Sequence, residues 1–320
     1  MSFSDIKGQY NAIVRLKAGL ENNHVASAYL FSGPEGVGKR LTALNFAKAL
    51  NCLENGFDAC GSCISCVKIE KGSHPDLHVV DNGAFENIKI EDIRVLQREI
   101  ALRPYEGRRK IFLINNAHNF NSDSANAFLK TLEEPPGSSV IILITDKPRL
   151  LFRTIISRCQ VVKFSELSRP EFEDVLKNSC NMDSVALRFL SFFCEGRIGA
   201  AMQWKGRDII AEKNRVIDFF GPDSRLTAEN SFIQDRDDLR WSLGVLACWF
   251  RDVYFVKAGL AERRIINIDR RDELGGTANR YSFNELDNIL NGISDALLYL
   301  EQNANVKLLL ADLLLSARKS

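Results

Sequence analysis

Apolar residues recur along the chain in two rhythms. In the first half, short runs rich in β-branched and aromatic residues predict five strands: Ala28 to Ser32, Leu77 to Asp81, Lys110 to Asn115, Val140 to Thr145 and Gln160 to Phe164. Amphipathic or helix-favouring stretches lie between them, near Gly38 to Leu50, Ile90 to Leu102, Ser122 to Leu132 and Leu150 to Ile156. Strands alternating with helices predict an α/β fold, a parallel sheet with helices on both faces, and such sheets bind ligands beyond the carboxyl ends of their strands. After about residue 165 the period lengthens. Ser168, Arg169 and Pro170 read as a cap and first turn before a helix from about Glu171, and Leu239, Leu243, Leu246, Phe250 and Val253 recur at three- and four-residue steps. Ile289, Ile293, Leu297 and Leu300 repeat that pattern, so the last hundred or so residues predict packed helices, with Gly221, Pro222 and Asp223 as a hinge before them.

Composition narrows this picture without redirecting it. The 320 residues, 45% hydrophobic and 26% charged, suit a folded protein of about two or three domains. Forty-two basic residues against 41 acidic ones leave a formal charge of +1, which excludes coating nucleic acid by bulk charge; any polyanion contact is local. No basic-then-apolar leader opens the sequence and no apolar run approaches the roughly 20 residues that span a bilayer, so a cytoplasmic protein without membrane contacts is expected.

The first chemical motif is Gly33, Pro34, Glu35, Gly36, Val37, Gly38, Lys39, placed after a predicted strand and at the start of a predicted helix. Glycines there let backbone N–H groups turn around phosphate oxygens, the helix N-terminus adds positive potential, and Lys39 reaches the terminal phosphates. The next residue departs from a working loop. Arg40 stands where a Ser or Thr hydroxyl holds magnesium, and the strand that should end in acids reads Ile114, Asn115, Asn116. A carboxamide is no base at neutral pH, so the chain alone is expected not to hydrolyse ATP, and its own loop to hold nucleotide weakly or not at all.

Four of the eight cysteines crowd together. Cys52, Cys60, Cys63 and Cys66 are separated by seven, two and two residues, a spacing that lets four thiolates converge on one tetrahedral ion. Structural zinc is the expected occupant; an iron–sulfur cluster and buried unliganded thiols are the alternatives.

These stretches resemble the AAA+ clamp-loader subunits of bacterial DNA polymerase III, and among them the delta prime type. The likeness covers nearly the whole chain: Gly8 and Gln9, His24 through Phe31 before the phosphate loop, the cysteine insertion, His74-Pro75-Asp76, Asn126 through Pro136, Ser157-Arg158-Cys159, and Gln302 through Leu315. The resemblance implies an AAA+ module over residues 1–165 with a zinc knuckle at 52–66, a small helical lid at 166–220 and an all-α collar at 221–320 that closes a five-membered ring. It also implies that Arg158 completes charge stabilisation at the γ-phosphate of ATP held by a neighbouring motor subunit. The alternative for Arg158 is pairing with a surface carboxylate. Gly199, or else Arg197 two residues before it, falls where a motor subunit has its nucleotide-sensing arginine, and Thr145 falls at the first sensor position or is a plain strand-end hydroxyl.

The expected function is therefore that of a non-hydrolysing subunit of the polymerase holoenzyme and its clamp-loader ATPase. Its implied partners are the motor subunits and delta, with the sliding clamp and primed DNA reached through the complex. Two other classes compete. A genuine motor ATPase would need Arg40 and Asn115 rescued by unusual ligands. A stand-alone DNA-binding module would draw on Arg94, Arg98, Arg103, Arg108, Arg109 and Lys110, where a solvated basic face is the plainer reading.

Overall fold

The computed structural model describes residues 2–302 except 55, 82, 84, 85, 181, 221–232 and 234, and then 304, 305 and 308. The chain divides into two compact units, one running to Phe172 and including Gly196–Ala200, the other comprising Glu173–Glu195 and the chain from Ala201.

In the first unit the described residues form a five-stranded sheet of β1 (Ala28–Ser32), β2 (Leu77–Val80), β3 (Lys110–Ile114), β4 (Ser139–Thr145) and β5 (Gln160–Lys163). All pairings are parallel, in the order β2-β3-β4-β1-β5, with Ala28 opposite Ile141 and Lys110 opposite Ser139. Successive side chains of a strand point to opposite faces, and here both faces are apolar, the mark of a sheet covered on each side. Tyr29, Phe31, Ile111, Leu113, Val140 and Ile142 pack on one side with Leu16 of α1 (Tyr10–Glu21) and Ala43, Phe46 and Leu50 of α2 (Lys39–Asn51). Leu30, Phe112, Ile114, Ile141 and Leu143 pack on the other with Ile93, Leu96 and Ile100 of α4 (Ile90–Ile100) and Phe128 and Leu132 of α5 (Ser122–Glu133). Between α2 and β2 lies the short α3 (Ile64–Glu70), and α6 (Arg153–Ile156) precedes β5. The stretch from Leu150 gives only that one turn of helix because residues 146–152 are spent crossing from β4.

The strand ends lie within a residue of the expected ones. Hydrogen bonding decides the differences: Asn115 still donates its N–H to Val80 at 3.0 Å, but its successor Asn116 turns left-handed at φ 49° and leaves the sheet.

The chain then turns helical, as its period requires: α7 (Arg169–Cys180), α8 (Ser184–Phe193), α9 (Ile198–Met202), α10 (Ile209–Phe219), α11 (Arg236–Lys257), α12 (Arg271–Arg280) and α13 (Phe283–Glu301). Ser168 opens α7 with its N–H and hydroxyl on Glu171, a capping arrangement. On α11 the residues Leu239, Leu243, Leu246 and Val253 are buried, while Phe250 is half-buried beside Tyr281. Ile293 and Leu300 of α13 are buried and Ile289 and Leu297 half-buried. The hinge expected at Gly221, Pro222 and Asp223 lies outside the described residues, as does most of the stretch Gln302–Leu315. Among the described residues no helix is long and apolar enough to cross a membrane.

Candidate functional site

Parallel register gathers the carboxyl ends of β1, β2, β3 and β4 at one edge, and the phosphate-loop residues collect there. Gly33 leaves β1 with its N–H on the Thr145 carbonyl, 3.3 Å away at the end of β4. Gly36 and Gly38 take φ of 77° and 97°, left-handed backbone that glycine adopts without a Cβ penalty, and Gly38 is the residue from which α2 starts. Lys39 is buried, and its Nζ donates to the carbonyls of Gly33 and Pro34 at 2.5 Å each. Burial lowers its pKa, with Asp146 and Glu35 pulling the other way. The loop thus retains a glycine backbone and an ammonium group, held on its own carbonyls.

Beside the loop, Arg40 enters an ion pair. Arg40 lies 3.5 Å from Asp81, the residue just beyond β2, and Asn115 donates to the same Asp81 oxygen at 2.7 Å. A guanidinium and a carboxamide therefore share the one carboxylate just beyond the carboxyl ends of β2 and β3. Asn116 donates its Nδ2 to the Gly83 carbonyl at 3.0 Å. Thr145 is buried; its hydroxyl is 3.1 Å from His118 Nδ1 and accepts the N–H of Lys147 at 3.1 Å. His118 Nδ1 also lies 3.3 Å from Asp146, and burial lowers its pKa. Asp81 and His118 were not singled out by sequence reasoning. Asp81 closes a predicted strand and could have been suspected on that ground; His118 carries no local signal.

Gly199 donates its N–H to the Gly36 carbonyl at 2.7 Å, and a Cβ at Gly199 would stand 2.7 Å from that oxygen. Any side chain here, an arginine included, would have to displace the phosphate loop.

Arg158 sits away from these groups, just after α6. Its Nε and Nη2 both donate to Glu133 Oε1, at 3.0 and 2.5 Å, and Nη1 donates to the Thr154 carbonyl at 3.0 Å. The pair is exposed, so its net contribution is about 0–1 kcal/mol and exchanging Glu133 for a stronger anion costs little. Cys159 beside it is part of the packing, its thiol pushed up to about 12 by burial.

The four cysteines come together as their spacing requires. Their sulfurs all lie within 4.8 Å of one another, and Cys60 and Cys66 are 4.0 Å apart. Four thiolates at about 2.3 Å from a tetrahedral zinc would stand roughly 3.8 Å apart, so small shifts close the cage. Cys63 and Cys66 each turn a backbone N–H onto the preceding cysteine's sulfur, at 3.3 and 3.4 Å, and Cys60 does the same to Cys52 at 3.5 Å. Donors aimed at sulfur favour the thiolate; those on Cys60, from Cys63 first and then Ser62, bring it down to about 6. Burial pushes Cys66 up to about 12, so it ionises at neutral pH only beside a cation. The cluster fits a metal such as zinc.

A glycine loop between strand and helix, a buried lysine, a parallel five-stranded sheet and a helical continuation define a P-loop module of the AAA+ kind. Residues 8–168 match the family described as DNA polymerase III, delta subunit, and residues 216–319 match DNA polymerase III, delta subunit, C terminal. DNA polymerase III subunit delta' of Bacillus subtilis (strain 168) is 31% identical over 311 residues, covering 92% of each chain. The chain belongs to this clamp-loader family, in its delta prime branch. It is also 39% identical over 186 residues to DNA polymerase III subunit tau/gamma of Haemophilus influenzae, spanning 58% of this chain but 27% of that longer protein. A gamma subunit-related protein of Thermotoga maritima shares the fold, with TM-score 0.50, 19% identity and coverage of 96% of this chain and 99% of its own.

Proposed function

We propose that this chain is a non-hydrolysing clamp-loader subunit that takes its place in a five-membered ring and offers Arg158 to ATP held by a neighbouring motor subunit. The observation that carries the first half is the Arg40–Asp81–Asn115 cluster: a guanidinium and a carboxamide meet on the one carboxylate near the position where magnesium would be coordinated. Phosphoryl transfer draws most of its barrier lowering from metal and positioned charge, and this site has given up both the hydroxyl ligand and the base. The second half rests on Arg158, which follows a short helix, is partly exposed and is held by a carboxylate that an incoming phosphate can replace. If Gly199 rather than Arg197 is the aligned position, the lack of room for an arginine there supports an inactive site. The motor subunits of the tau/gamma type and delta are the proposed neighbours, with the sliding clamp and primed DNA met through the assembly. The cysteine cage takes zinc in a structural role, with four thiolates and no open position for chemistry.

The deciding experiment reconstitutes the loader with Arg158→Ala and measures DNA-stimulated ATP turnover and clamp loading. Assembly should survive while turnover falls about 10-fold or more, as the loss of a transition-state charge contact does. Unchanged turnover would sink the finger assignment, and failed assembly would make the residue structural. The purified chain with magnesium and ATP should turn over more slowly than about 1 per second; a faster rate would refute the inactive-site reading.

A further inference from the structure

The cysteine cage lies far from the phosphate loop. The first cysteine follows the last residue of α2, whose first turn carries Lys39, so the 13-residue helix separates them by about 20 Å. The cage therefore sits toward the amino ends of β2 and β3, away from the phosphate loop.

What lies there is a loop whose amides all turn inward. Buried Asp76 accepts the N–H groups of Tyr105, Glu106 and Gly107 at 2.7, 2.9 and 2.7 Å. Buried Asn51 accepts those of Arg108 and Arg109 at 2.9 Å each and returns its Nδ2 to the Arg109 carbonyl at 2.9 Å. Five consecutive backbone donors are thus held by two side chains. Both anchors are tied to the cysteines: Asn51 immediately precedes Cys52, whereas the Asp76 N–H donates to His74 Nδ1 at 3.1 Å and His74 Nε2 meets Ser65 Oγ at 3.2 Å, one residue before Cys66. Lys68, on the same short helix as Ser65, grips both oxygens of Glu106 at 2.8 and 2.7 Å. That helix has seven residues, and the sulfur of Cys63 caps its start by accepting the Cys66 N–H.

We propose that the four-cysteine centre is the foundation of the Tyr105–Arg109 loop: Cys52 fixes Asn51, Cys66 fixes Ser65 and through it His74 and Asp76, and these anchors hold the loop that presents Tyr105. Tyr105 is 85% exposed, so the loop carries an aromatic tip outward while its backbone is locked inward. Opening the cage releases α3 and the end of α2, and the five amides lose their fixed acceptors while the sheet stays whole.

The test follows amide hydrogen exchange, residue by residue, in the full reduced chain with one equivalent of zinc and after stripping by chelator. Exchange at Tyr105 through Arg109 should accelerate about 10-fold or more, the equivalent of one net hydrogen bond, while β4 stays protected. Asn51→Ala should accelerate Arg108 and Arg109 alone and still bind one equivalent of metal. Unchanged exchange at 105–109 after stripping would overturn the proposal, and so would a loss of protection that reaches β4 to the same degree.

Discussion

Arg40 is the residue on which the inactive-site reading turns, and its sequence neighbour Lys39 is why the loop is still recognisable. Lys39, Arg40 and Asn115 were legible in the sequence because phosphate chemistry dictates what must follow the last glycine and what must end the neighbouring strand. Asp81 was not, for its partners lie on α2 and beyond β3, and only the sheet order joins them. Gly33 supplies a stability prediction at this scale. A Cβ there would stand 2.3 Å from the Phe164 carbonyl oxygen, so Gly33→Ala should cost about 3 kcal/mol in denaturant unfolding of the first unit. His118 supplies one for pH. Burial holds His118 below the ordinary imidazole value of about 6.5, as it does His78, so below that value the unfolded chain binds more protons than the folded one. Stability should therefore fall as the pH drops from about 7.5 to 5.5, and His118→Asn should flatten part of that slope in urea titrations at the two pH values.

At the scale of elements, apolar period was a sound guide where a face is buried. The α11 stripe is the plainest instance, and Leu243→Ala there, at a fully buried position, should lower stability by about 2–5 kcal/mol in the helical unit, whereas Phe250→Leu should cost much less. The pattern was a poor guide to α1 and α3. In α1, Tyr10 and Val14 are exposed and Ala12 and Leu16 alone are buried, so the stripe is thin. In α3 seven residues give barely two turns, and its start is set by the Cys63 cap and the cage, which no helix period announces.

For the whole molecule, the two poles of the sheet divide the chemistry. The carboxyl ends of the strands carry the phosphate-loop residues, and the opposite side carries the cysteine cage. Metal analysis of protein purified without added zinc should return about one equivalent per chain. Stripping it should lower the melting temperature of the first unit, because four thiolates drawn together lose the cation that offsets their repulsion.

What the sequence alone determined is whatever one stretch of chain carries within itself: the glycine loop and its lost hydroxyl, the cysteine spacing, the strand and helix periods, and the change of architecture near residue 165. These are local, since covalent spacing fixes which groups can turn toward one point. The tertiary structure decided which distant groups meet: Asp81 between Arg40 and Asn115, Glu133 on Arg158, Gly199 against the phosphate loop, and Asn51 and Asp76 beneath Tyr105. Those meetings depend on strand order and register, which arise from packing of the whole sheet and have no signature in any single segment.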